Sequence, residues 1–248
     1  MSFTITFTIK SGDLMKKVFK HLLIIFGTIA LIIVGVLSFF AVKGAMLWND
    51  AKAGNPIEEV IPEIRSHEGY VLYEELPQFY IDAVISVEDR RFFKHGGIDP
   101  KAILRAVLYD VKTMSSAQGG STITQQLAKN IWFSEEKQLE RKFAEVFAAF
   151  ELEKMLTKND IFELYVNLIY FGSGYYGIGD AAQGYFDKSP SELSDYECAM
   201  LAGLPNAPSI YSPNSSPDLA EQRLSLVIDS MCENGVLNEQ EAVKILET

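Results

Sequence analysis

Basic residues, cysteine and strand-like alternation are all scarce in this chain, and each scarcity removes a class of explanation. The sequence sets 22 Lys and Arg against 33 Asp and Glu, a net charge of −11 over 248 residues, so bulk electrostatics argue against a nucleic-acid partner. The two cysteines, Cys198 and Cys232, are too few for a disulfide framework and lack metal-ligand spacing. Both read as core or near-surface thiols. Repeats and low-complexity segments are absent. Almost no run alternates apolar and polar residues as a half-buried strand does, whereas about nine segments have helical periodicity, so the expected class is all-α. With 48% apolar residues the chain can bury a sizeable core, as one large domain or two small ones.

Residues 1–21 carry Lys10, Lys16, Lys17 and Lys20 against one acid, Asp13, and lead into an uninterrupted apolar run over 22–42. At 1.5 Å per residue that run spans roughly 30 Å, the thickness of a bilayer's hydrocarbon core. It is longer than a signal-peptide core and continues into Phe39, Phe40 and Lys43 without a small-residue cleavage site, which favours an uncleaved anchor over a signal peptide or a buried core helix. The lysines ahead of it place the N-terminus in the cytoplasm and the rest outside. Met15, Lys16 and Lys17 form a more usual opening for such an anchor than the preceding residues, so translation is expected to begin at Met1 or at Met15. The expected plan is a tail over 1–21, an anchor over 22–42, a stem over 43–69 with at most short strands, since Gly54, Pro56, Pro62 and Gly69 interrupt it, and a functional domain over 70–248.

Within that domain one stretch organises the rest: Gly119, Gly120, Ser121, Thr122, Ile123, Thr124, Gln125, Gln126, Leu127, Ala128, Lys129 and Asn130. The glycines allow close approach of backbone to a ligand, and the hydroxyls, amides and ammonium that follow suit a polyanionic or sugar ligand. A solvated loop entering a capped helix is the plainer reading of the same residues.

Periodicity predicts a helix over 78–88 that buries Ile81, Val84 and Ile85 and leaves Glu88 where the helix gives way to a loop ending at Gly96 and Gly97. Residues 100–109 are helical by spacing but apolar on more than one face, which fits either core packing or contact with lipid headgroups. A helix over 138–155 shows an apolar stripe of Leu139, Phe143, Val146, Phe147 and Phe150, with Glu145 off the stripe between Arg141 and Lys142. That trio alone is as well explained by an exposed salt-bridge set. Thr157 with Asp160, Ser194 with Glu197, and Asn238 mark helix starts. Glycines 172, 174, 177 and 179, interleaved with Tyr170, Phe171, Tyr175 and Tyr176, indicate a tight loop against other backbone.

Taken in order, the block from Glu88, Asp89, Arg90 and Arg91 through His95 to Asp99, the stretch 119–130, Arg141 and Lys142 with Glu145, and Tyr165, Val166 and Asn167 before the glycine-rich segment resemble the family 51 glycosyltransferases, which polymerise lipid II into glycan strands. The resemblance covers about Val71 to Ile245 and all five blocks of that family. It implies a lysozyme-like, two-lobed helical fold behind one N-terminal transmembrane helix, and a monofunctional form, because no Ser-x-x-Lys transpeptidase domain follows. It also implies an inverting transfer that takes the α-linked donor to a β-1,4-linked product and releases undecaprenyl pyrophosphate. One carboxylate deprotonates the attacking hydroxyl, and basic side chains hold the leaving pyrophosphate, which departs without a general acid.

Residue by residue, the resemblance makes Glu88 and Glu145 the catalytic carboxylates and Asp89 the loop-orienting neighbour. It gives substrate binding to Asp89 as well as to Arg105, Ser121, Thr122, Gln125, Lys129, Asn130, Lys137, Arg141 and Lys142. This chain departs from the family at Gly96, where many members carry a second histidine, and at Asp187, where glycine is usual before Lys188. No cofactor is obligatory; Mg2+ or Mn2+ can assist at the pyrophosphate. The expected partners are lipid II, the growing lipid-linked strand, the membrane, and transpeptidase or division and elongation proteins, with the catalytic domain outside the bacterial cytoplasmic membrane. Moenomycin, which resembles the growing strand, is the expected inhibitor. The competing readings are a lysozyme-like glycan hydrolase and a non-catalytic scaffold for wall synthesis.

Overall fold

The computed structural model describes residues 11–113, 119–133 and 139–247. Among them the chain forms twelve α-helices: α1 (Ser11–Gly54), α2 (Ile57–Arg65), α3 (Gln78–Glu88), α4 (Pro100–Thr113), α5 (Ile123–Trp132), α6 (Leu139–Met155), α7 (Lys158–Leu168), α8 (Ile178–Phe186), α9 (Asp195–Gly203), α10 (Pro208–Tyr211), α11 (Pro217–Glu233) and α12 (Glu239–Leu246). The sole sheet-like pairing among the described residues is an isolated bridge between Tyr170 and Tyr176. The fold is therefore all-α, of the lysozyme-like type that the resemblance implies, entered by one apolar helix.

Local sequence sets the helix starts. Thr122 with Gln125, Thr157 with Asp160, Ser194 with Glu197 and Asn238 with Glu241 all form reciprocal capping boxes, each cap worth about 1 kcal/mol. At the centre stands α7, where Ile161, Phe162, Leu164, Tyr165 and Val166 are buried in succession, as expected of a helix surrounded by protein on every side. Each such side chain contributes about 1.5–3 kcal/mol of transfer free energy. Asn167, near the end of α7, accepts from Val71 N at 2.9 Å and donates to Val71 O at 2.8 Å, clamping the extended segment that leads to α3. The glycine-rich loop then closes over this junction: Gly177 has φ +83°, and a Cβ there would lie 2.8 Å from Asn167 O. A tight turn against backbone was expected here, and it is found.

Two expectations need correction. The segment 43–69, expected as a stem with at most short strands, is largely helical and packs into the core. α1 continues through Gly54, α2 follows after Pro56, and Pro62 is tolerated inside that short helix. The reason lies far along the chain: Trp48 is buried, donates its indole N–H to Glu151 Oε2 at 2.9 Å and packs edge-on to Trp132 at 4.9 Å, while Lys52 pairs with the same glutamate. Ile57, Val60 and Ile61 of α2 also join the core.

The second correction concerns α6. Its expected apolar stripe faces the core only in part: Phe147 packs against it and Phe143 and Val146 are half-buried, but Leu139 is 61% and Phe150 41% exposed. The buried face is Ala144, Glu145, Ala148, Ala149 and Leu152. Small alanines let neighbouring backbone approach, as at Gly97, where a Cβ would lie 2.9 Å from Ala149 C. Close backbone approach on that face leaves no room for the bulkier Leu139 and Phe150, which take the outside.

Over Met15–Gly54, α1 is long and apolar enough to cross a membrane, with a mean hydropathy of 2.8 in its most apolar window and none of that window buried. On α4, Ile103, Leu104, Val107 and Leu108 are likewise exposed.

Candidate functional site

Glu88 is the last residue of α3, and its side chain is 12% exposed. Oε2 accepts from Gln126 Nε2 at 2.8 Å, and Gln126 Oε1 in turn accepts from the buried Tyr165 hydroxyl at 3.3 Å. Oε1 faces Arg223 Nη2 at 3.9 Å. Burial pushes the Glu88 carboxyl above the ordinary glutamate range, while Gln126 and Arg223 pull it back part of the way. The result is a carboxylate more basic than a solvated one, held at a helix end.

Asp89 turns the other way, into the protein. Its Oδ2 accepts from Ile123 N at 3.1 Å, and its Oδ1 lies 2.8 Å from His95 Nε2. It thereby caps the first turn of α5 while fixing the loop after α3. His95 faces a second acceptor, Gly96 O, through Nδ1. Burial opposes the imidazolium, but Asp89 and the Gly96 carbonyl outweigh it and raise His95 above its usual value. Thr122 Oγ1 donates to Gly97 O at 2.8 Å and accepts from Gln125 N, and Gln125 Oε1 accepts from Thr122 N. Thr122 and Gln125 are thus buried in the cap, where they shape the loop.

Glu145 is 2% exposed, with Oε1 3.1 Å from Arg141 Nε and Oε2 2.6 Å from Lys142 Nζ. Lys142 also donates to Ser121 Oγ at 2.7 Å. The stretch 119–130 therefore bridges the two glutamates: Ser121 reaches the Glu145 cluster, and Gln126 reaches Glu88. Lys129 and Asn130 follow Gln126 at helical spacing i+3 and i+4, on the same side of α5. Lys129 is half-buried and Asn130 exposed.

Arg105 lines an open groove of about 480 Å³ on α4 with Lys101, Leu104, Leu108, Tyr109 and Lys112. Burial, together with the neighbouring charges of Arg90 and Arg91, lowers its pKa, so this guanidinium would gain from an anion. Lys137 lies outside the described residues. Among the described residues no three His, Cys, Asp or Glu side chains cluster as metal ligands would, and both glutamates already face protein donors.

Sequence reasoning placed Glu88, Asp89, Ser121, Arg141, Lys142 and Glu145 in the neighbourhood the structure assembles. It overlooked Gln126, His95 and Arg223 as site residues. Gln126 stands one turn after Thr122 on a helix whose start was legible, a signal that could have found it. Nothing local marks Arg223.

A family model described as Transglycosylase matches residues 53–232. Penicillin-binding protein 1A of Aquifex aeolicus is 46% identical over 172 residues, 69% of this chain and 24% of that protein. Penicillin-binding protein 1F of Bacillus subtilis is 37% identical over 239 residues, 92% of this chain and 33% of that protein. The chain thus spans between about a quarter and a third of these two relatives. A crystal structure of penicillin-binding protein 1A from Haemophilus influenzae aligns with 50% of this chain and 16% of its own at 29% identity, with a TM-score of 0.34, too low to bear on the fold. The match over residues 53–232 takes in the Glu88 carboxylate, the bridging α5 and the Glu145 cluster, and the chain belongs to the transglycosylase family.

Proposed function

We propose that this chain polymerises lipid II into β-1,4-linked glycan strands, releasing undecaprenyl pyrophosphate. The observation that carries the reading is Glu88: a largely buried carboxylate of raised basicity, ending a helix and held by Gln126. Glu88 removes the proton from the acceptor's 4-hydroxyl as that oxygen attacks the donor's anomeric carbon. The bond from that carbon to the pyrophosphate oxygen breaks with inversion, and both electrons leave with the phosphate. Arg105, Lys129 and Asn130 line the path where that charge develops. Arg141 and Lys142, held in register by Glu145 and Ser121, supply further donors. Mg2+ or Mn2+, where present, would neutralise part of the pyrophosphate charge.

The apolar span of α1 supports attachment to the bacterial cytoplasmic membrane, and the lysines before it support a cytoplasmic N-terminus with the site outside. The exposed apolar side of α4, flanked by Lys101 and Lys112, would lie against the lipid that carries the substrate. Wall-building partner proteins belong to the same proposal.

Labelled lipid II given to the purified chain in detergent tests it. Long strands should appear with wild type and vanish with Glu88→Gln. Soluble fragments cut from preformed strands, with no polymerisation, would favour a hydrolase, and neither product would favour a scaffold.

A further inference from the structure

Arg223 comes from α11, far along the chain from every other group at Glu88, and its side chain is fixed at more than one point. Nε donates to Gly203 O at 3.1 Å, and the guanidinium carbon stands 5.8 Å from the centre of the Tyr211 ring. Gly203 is bound to be small, because a Cβ there would come 2.9 Å from Arg223 Cγ. What remains of the fork points at the site: Nη2 is 3.9 Å from Glu88 Oε1, and both side chains are 12% exposed. A lysine has one charged nitrogen in place of this two-ended fork, so it cannot make the two contacts from separate nitrogens as Arg223 does.

The groups around Glu88 come from five helices. Its own helix α3 supplies Tyr80, and Asp89 follows directly; α5 supplies Gln126 and α7 Tyr165. Cys198 of α9 is within electrostatic reach of Tyr80, and α11 supplies Arg223. In this set Asp89 repels a second negative charge, Gln126 donates a neutral hydrogen bond, and the cation is Arg223.

We infer that Arg223 is a positioning residue for the proposed base: pinned by Gly203 and Tyr211, it holds the Glu88 carboxylate ionised and aimed from the α11 side. The inference rests on the reading of Glu88 as the base. With the cation removed, burial and Asp89 act with less opposition, Glu88 binds its proton more tightly, and the acidic limb of the pH–rate profile moves to higher pH. Lost packing alone would lower the rate by a similar factor at every pH.

The test uses the full chain in detergent micelles. For Arg223→Gln, kcat/KM at mildly acidic pH should fall about tenfold or more, and the deficit should narrow as pH rises and Glu88 ionises unaided. Arg223→Lys should fall between wild type and Arg223→Gln. An infrared titration of the carboxyl band that disappears in Glu88→Gln reads the same group without turnover, and its midpoint should rise in Arg223→Gln. An unmoved midpoint, or a rate loss uniform in pH, overturns the role of Arg223 while leaving Glu88 as base. Polymerisation by Glu88→Gln would instead remove the base assignment itself. Should Arg223→Gln fail to fold, the midpoint of Arg223→Lys is read in its place, and one equal to wild type overturns the inference.

Discussion

Gln126 donates to Glu88 at 2.8 Å while accepting from Tyr165 at 3.3 Å, so the proposed base is oriented by a chain of hydrogen bonds that ends in the middle of α7. Each link has a defined direction. The phenol donates to the amide oxygen, and the amide nitrogen donates to the carboxylate. Gln126→Leu keeps roughly the volume and removes the donor to Glu88. We expect kcat/KM near neutral pH to drop by about tenfold, one hydrogen bond to a charged group, with a smaller effect at higher pH. A flat pH response would mean that Gln126 aims Glu88 without affecting its charge.

His95 gives the loop after α3 a pH dependence of its own. Its folded pKa is raised, so the stability it contributes is fully present below the unfolded value of about 6.5 and is lost as pH rises through the folded value. The difference in melting temperature between wild type and His95→Gln should therefore be largest in mild acid and shrink on the alkaline side. A difference that grows with pH would show that the imidazole is buried neutral and that Asp89 does not stabilise its charge.

What could be read from the sequence was whatever is decided within a turn or two of chain. The starts of α7, α9 and α12 follow from Thr157, Ser194 and Asn238 and their partners three residues on, and the end of α3 at Glu88 follows from periodicity. Segment 43–69 was misread because the burial of Trp48 depends on Glu151 and Trp132, which sit on other helices. The core face of α6 was misread because periodicity weighs large side chains, while this interface is built from Ala144, Ala148 and Ala149. Arg223 escaped notice for the same reason as Trp48: its role exists only once α11 has packed beside α3.

That junction of α1 with α6 can be tested directly. Trp48→Ala removes a buried ring, its hydrogen bond to Glu151 and its edge-on contact with Trp132, and should cost about 3–5 kcal/mol. Glu151→Gln, which weakens the pairing with Lys52 but keeps an acceptor for the indole, should cost under about 1 kcal/mol because that pair is partly solvent-exposed. Thermal unfolding of the micelle-bound chain is the measurement. Equal losses in the two variants would place the stabilisation in the charge pair and not in the packing.

The two glutamates should part company under the same conservative change. Glu88→Gln replaces a carboxylate whose near partners are an amide and a cation at 3.9 Å, so the fold and moenomycin binding should persist while polymerisation falls below detection. Glu145→Gln breaks a set in which one buried carboxylate holds the half-buried Arg141 and the exposed Lys142, with Ser121 bonded to the lysine. Removing that buried charge should cost about 1–3 kcal/mol. It also frees two cations that the proposed mechanism needs in register, so turnover and moenomycin affinity should decline together. Lipid II turnover measured beside inhibitor affinity for both variants decides the matter. Substantial activity in Glu88→Gln, with Glu145→Gln inactive yet still binding moenomycin at wild-type affinity, would exchange the two roles.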